Sequence, residues 1–211
     1  MNIPYEAIFW DNDGVLMQSE HLYYQANAEI LAEVDVELNL TTFRQISLQQ
    51  GESVLGLAAG KESMLRPMRD QRYEKLLANA LPMPGAEALL CTLQGQVPMA
   101  IVTSCRRAHF ERMHQNSGLL QYVDFVLTRE DYRRSKPDPE PYRLACRRTG
   151  VLPRQALAVE DSERGVAAAV AAGLNVIAFP GEMNQGGDFR QAKVCIESLA
   201  ELHALFGQPV E

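Results

Sequence analysis

The sequence predicts an α/β protein in which a parallel sheet carries helices on both faces and an all-helical module interrupts the chain directly after the first strand. Three observations carry this. Short apolar runs bounded by polar or Gly/Pro residues, "AIFW", "MAIVTS" and "ALAVED", read as strands buried on both faces. From residue 84 onward such runs alternate with helical patterns, as right-handed crossovers between parallel strands require. Residues 15–83 break that rhythm with helical spacing and no convincing strand before "LPMPG" at 81–85.

In chain order, "AIFW" is the first strand. Leu22, Ala26, Ile30 and Val34 then recur every four residues and predict a helix over about 20–34. Further helical spacing covers 53–59 and 62–79, punctuated by Gly51, Gly56 and Gly60. A helix over 84–94 opens with Pro84, "MAIVTS" follows as a strand, and residues 105–116 are helical. "FVLT" and "NVIAFP" read as two more strands. Between them, a helix over 138–149 takes Asp138 as N-cap, Pro139 as first helical residue and Gly150 just past its end. "SERGVAAAVAAG" takes Ser162 as cap and stops at Gly173. The expected division is an α/β core of residues 1–14 and 84–211 around a helical segment of residues 15–83. No internal repeat or low-complexity tract is present.

Bulk composition narrows the function classes. Of 211 residues, 46% are apolar and 22% charged, which argues against disorder and coiled coil. A formal net charge of -7 and a pI near 5.2 work against general affinity for nucleic acid or anionic membranes and suit a small soluble substrate. Cys91, Cys105, Cys146 and Cys195 have no C-x-x-C spacing, so neither a zinc site nor a thiol redox motif is expected, and a reducing, cytoplasmic setting is. The N-terminus "MNIPYEAIFW" shows no targeting pattern, and "VAAAVAA" is far too short for a membrane span.

The chemistry is carried by polar groups at strand ends. Asp11 and Asp13 follow the first strand, Thr103 and Ser104 follow "MAIV", and Glu160 and Asp161 follow "ALAV". Asp13-Gly14 alone also reads as a hairpin turn. In a parallel sheet, however, these ends share one edge, and Lys136 in "SKPDP", after the "FVLT" strand, reaches the same edge. Four carboxylates gathered there repel one another, and a hard divalent cation resolves the conflict. Oxygen donors without His or Cys suit Mg²⁺. Thr103, Ser104, Lys136 and the N-H groups opening the helix at 105 offer donors for a phosphate, so the site reads as one for phosphoryl transfer.

"DNDG", "IVTS", "SKPDP" and "VEDS…G", in that order and with a helical insert after the first, resemble the haloacid dehalogenase superfamily over nearly the whole chain. The insert resembles the small helical cap of the subgroup holding phosphoglycolate and sugar phosphate phosphatases and β-phosphoglucomutases. The resemblance implies a Rossmann-like core and a Mg²⁺-dependent phosphatase acting on a small phosphorylated metabolite. It implies Asp11 as nucleophile forming an aspartyl phosphate and Asp13 as general acid and then base. Metal ligands would be Asp11, the Asp13 carbonyl, Asp161 and Glu160, the last directly or through water. Thr103 and Ser104 would bind the phosphoryl group, and Lys136 would balance charge on Asp11 and that group.

Departures bear on the reaction. Gln18 stands where relatives commonly have Asp, and Trp10 and Asn12 are unusual neighbours of the nucleophile; all three are expected at the entrance or just behind the site. Asp13 argues against dehalogenation, because dehalogenases lack that second acid. A phosphosugar mutase is the alternative, yet Val54 replaces the Arg of its cap motif "G-x-S-R" and Tyr23 replaces its His. His21 lies two positions too early for that role. Lys61, Arg66, Arg69 and Arg72 read as a solvated helix face, or alternatively as a grip for a second anionic group. A non-catalytic phosphate-binding relative is a further alternative, disfavoured by retention of both Asp11 and Asp13.

Overall fold

The computed structural model describes residues 3–207, so residues 1–2 and 208–211 of the expected core lie outside it. At its centre is β1 (Ala7–Trp10), buried at every position. Alternation along the strand sends Ile8 and Trp10 to one side of the sheet and Ala7 and Phe9 to the other, where they join two separate apolar clusters. β1 pairs in parallel with β2 (Met99–Val102) on one side and β4 (Ala156–Glu160) on the other. With β3 (Phe125–Leu127), β5 (Asn175–Ala178) and β6 (Val194–Cys195) the order is β3-β2-β1-β4-β5-β6, all parallel. The chain thus leaves β1 toward one edge and later returns to its other side, and the crevice of such a sheet opens at the carboxyl end of β1.

Helices cover both faces, as expected. Leu89 and Leu90 of α4 (Ala86–Leu93), Phe110 and Met113 of α5 (Arg107–His114) and Leu202 and Phe206 of α8 (Ala200–Gly207) join Ile8 and Trp10. Tyr142 and Ala145 of α6 (Glu140–Thr149) and Val166 and Ala169 of α7 (Glu163–Ala172) join Ala7 and Phe9. Ser162 caps α7 by accepting from the Gly165 N-H at 3.1 Å, and Gly173 closes it with φ 88°.

Several local expectations need correction. The N-cap of α6 is Pro139; Asp138 lies one residue further out, although its carboxylate still accepts from the Glu140 N-H at 2.9 Å. α4 starts at Ala86 because Gly85 takes φ 83°, leaving Pro84 in the linker. Residues 53–59 give only a 3₁₀ turn, Val54–Leu57, after a short α2 (Leu40–Phe43) and a π-helical stretch, Arg44–Gln49, that period 3.6 does not reveal. β6 has two exposed residues and no alternation to read.

The remaining helices are α1 (Glu20–Ala32) and α3 (Glu62–Leu77), which pack against each other and over Phe43 and Leu55 in a cluster of their own. The near ends of both helices also touch the sheet-side core. Leu22 and Leu77 are buried there, each contributing about 1.5–3 kcal/mol. The chain enters and leaves this helical segment side by side: Met17 bridges antiparallel to Pro82, and the Met83 N-H donates to the Leu16 carbonyl at 2.8 Å. No helix among the described residues is long and apolar enough to cross a membrane. The four cysteines are free thiols.

Candidate active site

β1 delivers Asp11 to the crevice. The Asp11 N-H donates to the Val159 carbonyl at 2.9 Å, so the ladder with β4 runs one residue past the strand. Both Leu16 and Met17 N-H groups then donate to the Asn12 carbonyl at 2.9 Å, winding residues 12–17 into a tight turn that feeds α1 rather than a hairpin partner. Gly14 is required twice over: its φ is 83°, and a Cβ there would stand 2.2 Å from Asp161 Oδ2.

Asp13 is held by hydroxyls. Ser19 donates to its Oδ1 at 2.6 Å and Thr103 to its Oδ2 at 3.2 Å. Thr103 Oγ1 in turn accepts from the Cys105 N-H at 2.9 Å, and the Arg107 N-H donates to Glu130 at 3.0 Å. These two N-H groups are therefore committed within the protein, which corrects the expectation that the start of this helix offers them to phosphate. Ser104 is exposed on the cavity wall.

Lys136 is buried, hydrogen-bonded to Asp11 and the Val102 carbonyl and ion-paired with Glu160. Nζ lies 2.5 Å from Asp11 Oδ1, 2.8 Å from the Val102 carbonyl and 2.6 Å from Glu160 Oε1. Glu160, wholly buried, also accepts from the Tyr142 hydroxyl at 2.5 Å. Its carboxylate occupies the space a side chain at position 165 would fill, since a Cβ on Gly165 would stand 1.9 Å from Glu160 Oε2. Gly165 is thus the glycine that ends the "VEDS…G" motif.

Asp161 lies opposite. Asn184 donates to its Oδ2 at 2.8 Å and to both oxygens of Glu20, at 2.9 and 3.1 Å. One carboxylate oxygen each from Asp11, Glu160 and Asp161 lie within 4.8 Å of one another. These donors fit a hard divalent cation: all are oxygen, all are buried, and Lys136 alone does not neutralise them. Burial pushes the Asp11 carboxyl up to about 8, with Glu160 and Asp13 adding to the rise and Lys136 opposing it. Burial likewise lifts Glu20 to about 7 and Asp161 well above the usual carboxylate range, Asp161 further because Glu20 and Asp11 face it. Burial would depress Lys136, but Asp11 and Glu160 overcome it and hold its pKa high. A cation placed among these acids would reverse their shifts and leave Asp11 ionised at neutral pH, as a nucleophile must be.

The structure brings Asp11, Asp13, Thr103, Ser104, Lys136 and Asp161 onto one cavity of about 390 Å³, with Glu160 directly behind. Its roof is the helical segment. Arg69 corrects the solvated-face reading: it is 5% exposed, donates to the Tyr23 hydroxyl at 2.5 Å and covers that ring. Arg66 lines the cavity, whereas Arg72 points away to Glu29 and Glu33. Of the three unusual neighbours, Asn12 stands just behind the site as expected, its Nδ2 donating to Asp13 Oδ2 at 3.3 Å, whereas Trp10 and Gln18 differ from expectation. Trp10 faces the core with its indole N-H unpaired among the described residues. Asn12 is fully buried and its Oδ1 meets His114 Nε2 at 2.7 Å, while Gln18 donates to the Pro82 carbonyl at 3.0 Å and ties the two connections together. Glu20, Tyr142 and Asn184 were not singled out from the sequence. Only Glu20 carried a signal, an acid that opens the helix after "DNDG".

Comparison with known proteins agrees with this geometry. Residues 5–173 match the model of the haloacid dehalogenase-like hydrolases. Validoxylamine A 7'-phosphate phosphatase of Streptomyces hygroscopicus subsp. limoneus is 32% identical over 94% of this chain and 96% of its own length. Phosphoglycolate phosphatase of Nitrosospira multiformis is 31% identical over 88% of each chain. A crystal structure of CbbY from Rhodobacter sphaeroides in complex with xylulose-(1,5)bisphosphate superposes with TM-score 0.81 at 25% identity, over 94% of this chain and 96% of that one. The chain belongs to the haloacid dehalogenase-like hydrolase family and is one of its phosphoric monoester hydrolases.

Proposed function

We propose that the chain is a Mg²⁺-dependent phosphatase of the cytoplasm that hydrolyses a small organic phosphate monoester, a sugar phosphate or similar, through an aspartyl phosphate on Asp11. The observation that carries this reading is the meeting of Asp11, Lys136, Glu160 and Asp161 at one strand edge beside Asp13. Asp11 attacks phosphorus while Asp13, steadied by Ser19 and Thr103, gives a proton to the departing alkoxide. Asp13 then takes a proton from the water that attacks the phosphoryl group, which leaves as phosphate and frees Asp11. Lys136, hydrogen-bonded to Asp11 and the Val102 carbonyl and ion-paired with Glu160, acts through charge, on Asp11 and on the transferring group. Mg²⁺ held by Asp11, Asp161, the Asp13 carbonyl and Glu160 would supply positive charge that screens nucleophile from substrate.

The helical segment, residues 15–83, serves as the cap over the core of residues 1–14 and 84–211, and its side chains select the leaving group. The named activities of the relatives, on validoxylamine A 7'-phosphate and phosphoglycolate, support a small phosphorylated metabolite as substrate. Hydrolysis is favoured over a mutase because Val54 is buried in the cap's own core, where it grips nothing, and because Tyr23 is already engaged by Arg69. Turnover of p-nitrophenyl phosphate tests the reading. Activity that needs Mg²⁺ and is abolished in Asp11→Asn supports it; activity retained in that variant refutes it.

A further inference from the structure

We infer that this site takes a leaving group that is hydroxyl-rich and carries no second anion, and that Asp70 enforces the choice by standing where a second phosphate or a carboxylate of the substrate would lie. The inference rests on the hydrolase reading above and specifies its substrate class. Away from the reacting carboxylates, the cavity wall is built from Tyr23, Arg66, Arg69 and Asp70 of the cap with Arg106 and His109 of the core. At first sight these three guanidinium groups, with Arg164 as a fourth on the same cavity, invite a second anion. Arg164 is turned to the Lys136 carbonyl, and each of the other three is already bonded to a carboxylate. Arg69 donates from Nε to Asp70 Oδ1 at 2.8 Å, and Arg106 reaches across from the core to Asp70 Oδ2 at 3.2 Å. Arg66 donates to Glu62 at 2.5 Å. His109 adds no charge at neutral pH, because burial lowers its pKa.

Asp70 keeps 24% of its side-chain surface exposed and faces the cavity. A carboxylate accepts about four hydrogen bonds, so two remain after the arginines are served, and hydroxyl groups are their natural donors. A second anion would have to displace Asp70 from Arg69 and Arg106 or lie against it. Both are penalised, the first by leaving a partly buried carboxylate without partners and the second by like-charge contact. The wall therefore rejects by repulsion what its arginines alone would attract.

The test compares kcat/KM of the full-length protein with Mg²⁺ on fructose 1-phosphate, fructose 1,6-bisphosphate and 2-phosphoglycolate, in wild type, Asp70→Asn and Asp70→Ser, each checked for fold by circular dichroism. The wild type should prefer the monophosphate by roughly tenfold or more over both doubly anionic esters. Either folded variant should shrink that preference by roughly fivefold or more, chiefly by lowering KM for the doubly anionic esters. Equal or better turnover of those esters by wild type, or an unchanged ratio in the variants, overturns the inference while leaving the phosphatase intact. Absence of turnover on every ester overturns the hydrolase reading and this inference together.

Discussion

Lys136 Nζ lies 2.5 Å from Asp11 Oδ1, joining residues 125 positions apart in a buried ion pair that also takes in Glu160. Removing the cation from such a pair leaves uncompensated charge in the interior. Lys136→Met should therefore cost about 3–5 kcal/mol of stability at pH 8 and reduce turnover by roughly a hundredfold or more. The cost should shrink near pH 5.5, where the orphaned carboxylates can take up protons. Urea unfolding at the two pH values measures it, and a loss below about 1 kcal/mol at both would contradict the pairing.

Gly165 and Glu160 occupy shared space, with 1.9 Å between Glu160 Oε2 and the Cβ that position 165 lacks. In a helix, Gly→Ala ordinarily stabilises by about 1 kcal/mol. Here Gly165→Ala should destabilise and should lower activity, because the methyl pushes Glu160 off Lys136. A shorter acid should relieve the clash, so Glu160→Asp combined with Gly165→Ala should lose less than the sum of the single losses in a double-mutant cycle. Strict additivity would show that the contact is not felt.

Asp11 and Glu20 stand at about 8 and about 7, raised by burial from the ordinary carboxyl values of 3.8 and 4.5. Without a cation the folded state thus holds protons that the unfolded chain has released, and its stability falls as pH climbs from about 4 to about 8. A divalent cation displaces those protons. The rise in melting temperature produced by Mg²⁺ should be larger at pH 8.5 than at pH 5.5, with proton release seen by calorimetry in buffers of different ionisation enthalpy. A pH-independent rise with no proton release would argue against Asp11 as a ligand.

His114 behaves in the opposite sense. Burial lowers its pKa from 6.5 to about 4, so it is neutral when folded, with Nε2 against Asn12 and Nδ1 at 2.8 Å from Ser117 Oγ. The unfolded chain binds the extra proton between these values. This group's contribution is therefore complete above pH 6.5 and is lost as pH falls toward 4, by about 3 kcal/mol. The stability difference between wild type and His114→Gln, followed by denaturant unfolding from pH 7 to pH 4, should move against wild type by that order; a constant difference would refute it.

What the sequence made legible was the sheet and the acids at its rim. Strands buried on both faces are written as unbroken apolar runs, so Asp11 after "AIFW" and Asp161 after "ALAVE" stand out as polar residues where nothing in packing asks for them. Tyr142 and Asn184 were illegible because each acts through one hydroxyl or one amide across the fold, 18 and 23 positions from its partner, with no local pattern to mark it. Trp10 was misplaced for a subtler reason. Strand parity sends Trp10 into the core, and Asn12 is turned inward by α5, whose register against β1 only the packed structure sets. The pairing of Asp70 on α3 with Arg106 before α5 joins residues 36 positions apart and was equally invisible.

The central claim is that Asp11 carries the phosphoryl group, and the most direct measurement is acid-quench mass spectrometry of Asp13→Asn during turnover of p-nitrophenyl phosphate, whose leaving group departs without a general acid, with Mg²⁺. With the base for the second step removed, the peptide containing Asp11 should gain one phosphoryl group within the first turnover, and Asp11→Asn should gain none. Phosphate release in Asp11→Asn at the wild-type rate, or a phosphoryl group found on another residue, would contradict the account.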